Sequence, residues 1–170
     1  MTDAVPAAVA EATIDDERYH HCETCHKTID IPSDLYLRLD SGIFQHGREV
    51  KAVDLNEDWY VAAYWCLLGR LAKVLCVDWC ISVQFESMGP GEEFSRYYII
   101  ESEECERCWR HRFRNSELPV EVTDRECADV YRVVVVLTAR DKCHKKPVGI
   151  TGYCDLGLIE FYSGLTDTDS

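Results

Sequence analysis

Ten cysteines are the residues of this 170-residue chain best suited to chemistry. Two pairs are separated by two residues, Cys22-Glu-Thr-Cys25 and Cys105-Glu-Arg-Cys108. This spacing lets a tight turn direct both sulfurs at one Zn²⁺ ion, provided that the thiols are reduced. We therefore expect zinc as a cofactor, with all four of these cysteines as ligands. Zinc held by four protein ligands has no open position for water, which indicates a structural site.

Two arrangements of the zinc remain open. In the first, the four cysteines share one ion, and the metal closes a loop of about 80 residues. In the second, each pair binds its own ion and recruits further ligands. The candidates are two of His20, His21 and His26 for the first pair, and Cys127, Cys143, His111 or His144 for the second.

The remaining cysteines indicate buried free thiols. Cys66, Cys76 and Cys80 lie in an apolar stretch, and Cys154 lies in a strand pattern. A disulfide framework is the alternative, but it requires an oxidising compartment. The first 17 residues contain no Lys or Arg and do not resemble a secretory signal. We therefore expect a cytoplasmic or nuclear protein that is not secreted.

Charge limits the class of partner. A net charge of −13 argues against general coating of DNA or RNA, and the chain has no apolar run long enough for a membrane span. Residues 107–114 form a first basic cluster and residues 142–146 a second. Their candidate anion-binding residues are Arg110, Arg112, Arg114, Lys142, Lys145 and Lys146. Acidic neighbours, including Glu101 and Glu117, are expected to balance the first cluster. The second cluster is then the better anion site.

One long apolar segment dominates the predicted fold. Asn56 is a suitable helix cap, and nearly every residue from Trp59 to Leu68 is apolar or aromatic. A helix that is apolar on most faces is a core helix. The sequence therefore predicts a helix from Asn56 to about Leu75 at the centre of the domain.

Alternating patterns predict the strands. Leu35, Leu37 and Leu39 indicate a strand that ends at Ser41-Gly42, and residues 50–55 could pair with it. Residues 77–85 and 94–100 predict a hairpin, residues 131–138 a central strand, and residues 153–162 a last strand. Thr123 to Glu126 resembles a capping box for a short helix.

These elements predict a zinc-stabilised α+β fold, in which an antiparallel sheet of about four to six strands surrounds one hydrophobic helix. We expect a single domain over residues 19–163. Residues 1–18 are expected to be a disordered acidic tail, and residues 164–170 a flexible acidic tail.

The expected function is that of a non-enzymatic zinc-binding interaction or regulatory protein that binds other proteins. Small zinc proteins of this kind are often viral accessory or host-targeting factors. The alternative is a nucleic-acid-binding zinc protein that uses residues 107–114 and 142–146.

A zinc-dependent hydrolase or deaminase is a third hypothesis. His21-Cys-Glu23 and Cys105-x-x-Cys108 resemble two parts of the deaminase signature, although Glu104 stands where that signature has Pro. Cys105-Glu-Arg-Cys108-Trp109 is also similar to the start of the C-terminal zinc ribbon of isoleucyl-tRNA synthetases, which implies the same knuckle geometry and no shared function.

Overall fold

The computed structural model describes residues 35–73, 75–89, 91–103, 106–120 and 128–163. These residues form β-strands with two short 3₁₀ helices, Leu71–Lys73 and Asn115–Glu117. The strands are β1 (Tyr36–Gln45), β2 (Arg48–Glu49), β3 (Ala52–Asp54), β4 (Trp59–Leu68), β5 (Val77–Ser87), β6 (Phe94–Ile100), β7 (Cys108–Arg114), β8 (Asp129–Asp141) and β9 (Pro147–Tyr162).

The strands form two sheets that pack face to face. One sheet has the order β2-β1-β4-β7 and the other β3-β9-β8-β5-β6. Pairing is antiparallel except between β3 and β9. The inward side chains of both sheets form one apolar core. At one point of this core, the indole of Trp79 lies 5.2 Å from that of Trp109 and 6.1 Å from that of Trp65, measured between ring centroids.

The predicted core helix is wrong, and with it the α+β class. Its most apolar part is β4, which lies between β1 and β7. Trp65 and Val61 point into the core, while Ala62 and Cys66 on the opposite face are also buried. Because the outer face of β4 carries apolar and aromatic side chains as well, the segment is a continuous apolar run, and its periodicity does not distinguish a strand from a buried helix. The aromatic and β-branched content of this run favours a strand.

The first strand is longer than the sequence predicts. β1 continues through Ser41-Gly42 and ends in a two-residue turn, where His46 has φ 52° and Gly47 has φ 72°. Both values are positive, as a type I′ hairpin requires. Gly42 lies within β1 at a point where a side chain has little room: a Cβ there would lie 3.1 Å from the Phe44 ring.

Other sequence predictions are confirmed. β5 and β6 form the expected antiparallel hairpin, and β8 is the central strand of the five-stranded sheet. Residues 153–162 belong to β9, as expected. The expected pairing of residues 50–55 with β1 is wrong for β3, which pairs with β9, although the Val50 N–H donates to the Ile43 carbonyl of β1. The two predicted tails, the first cysteine pair and the capping box at residues 123–126 lie outside the described residues.

Candidate interaction site

A disulfide joins the two sheet strands that meet at the candidate site. Cys66 on β4 and Cys108 on β7 are direct partners in the register, with their Cα atoms 4.1 Å apart, and their sulfurs are bonded. Cys154 on β9 is also disulfide-bonded, whereas Cys76, Cys80 and Cys143 are free. The expected buried free thiols at Cys66 and Cys154 are therefore wrong.

The expected zinc site is not supported. A sulfur in a disulfide is not a thiolate ligand, so Cys108 is unavailable to a metal. Within the described ranges, no group of three or more His, Cys, Asp or Glu side chains could hold a metal ion. The expectation of a zinc-binding protein is therefore corrected: the described residues form no such site. The other proposed ligands Cys22, Cys25, Cys105, Cys127, His20, His21 and His26 lie outside the described residues.

The histidines proposed for a second zinc ion have other environments. His111 lies on the inward face of β7, with its ring centroid 4.7 Å from those of both Tyr98 and Phe113. His144 lies in the turn after β8, with Nδ1 3.0 Å from Asp141 Oδ1. Burial of the imidazole lowers the pKa of His111, and the nearby Glu117 carboxylate partly opposes this.

The first basic cluster lies on β7, and the alternation of the strand divides it into two faces. Trp109 and Phe113 are buried in the core. Arg110, Arg112 and Arg114 are exposed on the outer face, and we call these three residues the arginine row. Successive members are two residues apart in an extended strand, which corresponds to about 6.6 Å.

Tyrosines from β4 lie beside the arginine row. Tyr64 is the register partner of Arg110, and Tyr60 is that of Arg114. The guanidinium of Arg112 lies 4.8 Å from the centroid of the Tyr60 ring, and this ring stacks on Phe44 at 5.5 Å. A cation over an aromatic ring is held in place without losing its charge.

The charges of the arginine row are not paired within the described part of the chain. None of its members forms an ion pair with another described residue. Glu117, which was expected to balance the row, accepts hydrogen bonds from the Tyr98 hydroxyl at 2.6 Å and from the Arg114 backbone N–H at 2.7 Å. The Tyr98 and Arg114 bonds lower the pKa of Glu117, so it remains ionised close to the core edge.

The second basic cluster mostly contacts its own chain. Lys145 Nζ lies 2.7 Å from Oδ2 of Asp78, a residue that is only 1% exposed. Lys142 donates to the carbonyl of Ser102, whereas Lys146 is exposed and makes no ion pair with a described residue. Burial alone would raise the pKa of Asp78, but the Lys145 bond and the Ser102 amide together hold it below its usual value. Two of the three lysines therefore stabilise the fold.

Comparison with known proteins identifies no relative from which this site could be interpreted. Neither protein-family models, nor curated proteins, nor solved structures give a match to the chain. No helix in the described part of the chain has both the length and the apolar character that crossing a membrane requires.

Proposed function

We propose that this protein is a non-enzymatic interaction module that binds a partner protein through the arginine row. The observation that supports this proposal is the exposure of Arg110, Arg112 and Arg114 on one strand, without ion pairs to described residues. Arginine forms strong bidentate contacts with carboxylates. The spacing of the row matches an extended segment that carries Asp or Glu at alternate positions.

The burial of the aromatic residues in the first basic cluster favours a protein partner over nucleic acid. Base stacking on Trp109 and Phe113 was the basis for the nucleic-acid hypothesis, and both side chains are buried. The Tyr60 ring is occupied by Arg112 and Phe44.

The form that binds is proposed to be the oxidised one. The expectation of reduced thiols followed from the cytoplasmic or nuclear location predicted from the sequence, and the Cys66–Cys108 disulfide argues against that expectation. Because Cys108 is the first residue of β7, the crosslink restrains the strand that presents the arginine row. A restrained strand loses less conformational entropy when it binds a partner.

Fluorescence anisotropy with a labelled peptide of alternating Glu and Ser tests this proposal. Arg110→Gln combined with Arg112→Gln should weaken binding at least roughly tenfold, because two charge-assisted contacts are lost. The matched control is Arg48→Gln with Lys146→Gln, which removes the same charge from β2 and from the loop before β9. This control should bind within roughly twofold of the unaltered protein.

Two results would contradict the proposal. Equal losses in both double variants would mean that the peptide responds to net charge alone. Tighter binding of a short single-stranded RNA than of the peptide, with a steep salt dependence, would assign the row to nucleic acid.

A further inference from the structure

β7 lies at the end of its sheet, so one side of its backbone is not paired with a described strand. We call this side, which faces away from β4, the open edge. In an antiparallel pair, successive residues direct their N–H and C=O groups alternately toward the neighbouring strand and away from it. The pairing of β7 with β4 therefore determines which residues present these groups at the open edge.

Two residue pairs between β4 and β7 establish this alternation. The Leu67 N–H donates to the Arg107 carbonyl at 2.8 Å, so Arg107 and every second residue after it are bonded to β4. The Cα atoms of Cys66 and Cys108 lie 4.1 Å apart. This is closer to the roughly 4.5 Å of a pair without mutual hydrogen bonds than to the roughly 5.5 Å of a bonded pair. Cys108 and every second residue after it therefore face the open edge, and the arginine row belongs to this set.

The backbone groups at the open edge thus belong to the same residues that carry the positive charge. Arg110 and Arg112 direct both N–H and C=O there, and their side chains are exposed on the outer face. Arg114 differs, because its N–H donates to Glu117 Oε2 at 2.7 Å. The part of the edge that the described residues leave unoccupied therefore centres on Arg110 and Arg112.

We propose that the partner protein adds an acidic strand antiparallel to β7, with one carboxylate residue opposite Arg110 and another opposite Arg112. This inference rests on the proposed function and specifies how the partner is bound. At these positions, residues directly opposite each other exchange two backbone hydrogen bonds and place their side chains on the same face. Each acidic residue of the partner would then bind one arginine through both its backbone and its side chain.

The charge of the arginine row selects the strand that can be added. Cationic side chains along an edge oppose a strand that carries Lys or Arg at the facing positions, and a neutral strand gives them no counter-charge. A second copy of β7 is excluded for the same reason. A two-fold axis at any residue from Arg110 to Arg114 places arginine opposite arginine, whereas an acidic strand forms an ion pair at each position.

The stacking of Arg112 on Tyr60 is compatible with this contact. The ring lies beneath the guanidinium, at 4.8 Å between its centroid and the central carbon Cζ. The N–H groups of a guanidinium lie in its plane, so stacking on one face leaves them able to donate to a carboxylate.

Backbone N-methylation of the labelled Glu–Ser peptide tests the added strand. A peptide methylated at each glutamate lacks the N–H groups that would bond to the Arg110 and Arg112 carbonyls. The full chain should bind it at least roughly tenfold more weakly than the unmodified peptide in fluorescence anisotropy. The matched control carries the same number of methyl groups on its serines, whose N–H groups point away from β7. It should bind within roughly twofold of the unmodified peptide.

Amide hydrogen exchange provides a second readout, on the protein itself. A saturating concentration of the unmodified peptide should slow exchange at Arg110 and Arg112 by at least roughly tenfold, because their N–H groups become hydrogen-bonded. Ion pairs through the side chains alone would leave these amides open to solvent. His111 is the internal control, since its N–H is already directed at β4, and its exchange should change much less.

The outcomes separate this proposal from the proposed function. Equal binding of the two methylated peptides, or unchanged exchange at Arg110 and Arg112, would overturn the added strand. If Arg110→Gln with Arg112→Gln still weakens binding, the proposed function survives that result. Weaker binding of the serine-methylated peptide would indicate a parallel strand and would also overturn the proposal. No binding of the unmodified peptide would overturn both.

Discussion

Cys66 and Cys108 face each other across β4 and β7, and their disulfide fixes the first residue of the strand that carries the arginine row. The crosslink spans 42 residues of sequence. It therefore connects the middle of the four-stranded sheet to its edge. In the unfolded chain, the same crosslink closes a loop and reduces the number of accessible conformations.

Removing this disulfide should destabilise the protein. Cys66→Ala with Cys108→Ala should lower the free energy of unfolding by about 2–4 kcal/mol, as loop closure of this length implies. Urea unfolding without reductant measures the effect. The control is Cys76→Ala with Cys143→Ala, which removes two exposed free cysteines. Equal unfolding midpoints for the two double variants would show that the crosslink adds no stability.

Strand periodicity was recoverable from the sequence wherever one face of a strand is apolar and the other polar. Val77 to Phe85 alternates in this way, and its strand and hairpin were predicted. Trp59 to Leu68 has no polar face, because Ala62 and Cys66 are buried on the side away from the core. The hydrophobic pattern alone did not identify this segment as a strand.

The sequence predicts which residues form the candidate site, but not how they are arranged. Arg110, Arg112 and Arg114 were identified as anion-binding candidates from their type. Their separation from Trp109 and Phe113 follows from the period of two in β7, a strand that the sequence pattern does not predict. The disulfide depended on the pairing of β4 with β7, and pairing between distant segments has no local signal.

The ion pair between Lys145 and Asp78 should contribute more than its surface position suggests. Lys145→Met leaves a buried carboxylate without its cation, which is costly. It should lower Tm by roughly 5 °C. Lys146→Met is the control, since Lys146 is exposed and forms no ion pair with a described residue, and it should shift Tm by less than about 2 °C. Thermal unfolding followed by circular dichroism measures both, and equal shifts would contradict a structural role for Lys145.

Two glycines with equally open surroundings should respond differently to alanine. A Cβ added at Gly157 or at Gly89 meets no atom within 4 Å. Gly157 has φ 77°, whereas Gly89 is not in this region. Gly157→Ala should therefore cost about 1–2 kcal/mol from backbone conformation alone, and Gly89→Ala should change stability by less than about 0.5 kcal/mol. Urea unfolding of both variants checks this, and a neutral Gly157→Ala would mean that the bulge in β9 relaxes.

The environment of His111 should make stability depend on pH. Its pKa lies below the usual 6.5, so as the pH falls through 6.5 the unfolded chain takes up a proton that the folded chain does not bind. Stability therefore decreases on acidification and levels off below the folded pKa. The loss should be less than about 1 kcal/mol, because the ring is only partly buried.

His111→Phe should remove this loss. The Nε2 atom of His111 is buried and has no hydrogen-bond partner among the described residues, and phenylalanine has no polar atom to leave unpaired there. The difference between the urea midpoints at pH 7.5 and pH 5.5 should therefore be smaller in His111→Phe than in the unaltered protein. His46→Asn is the control, because His46 is exposed in a turn with φ 52°, which Asn tolerates. If this control reduces the pH dependence as much as His111→Phe does, the effect does not originate at His111.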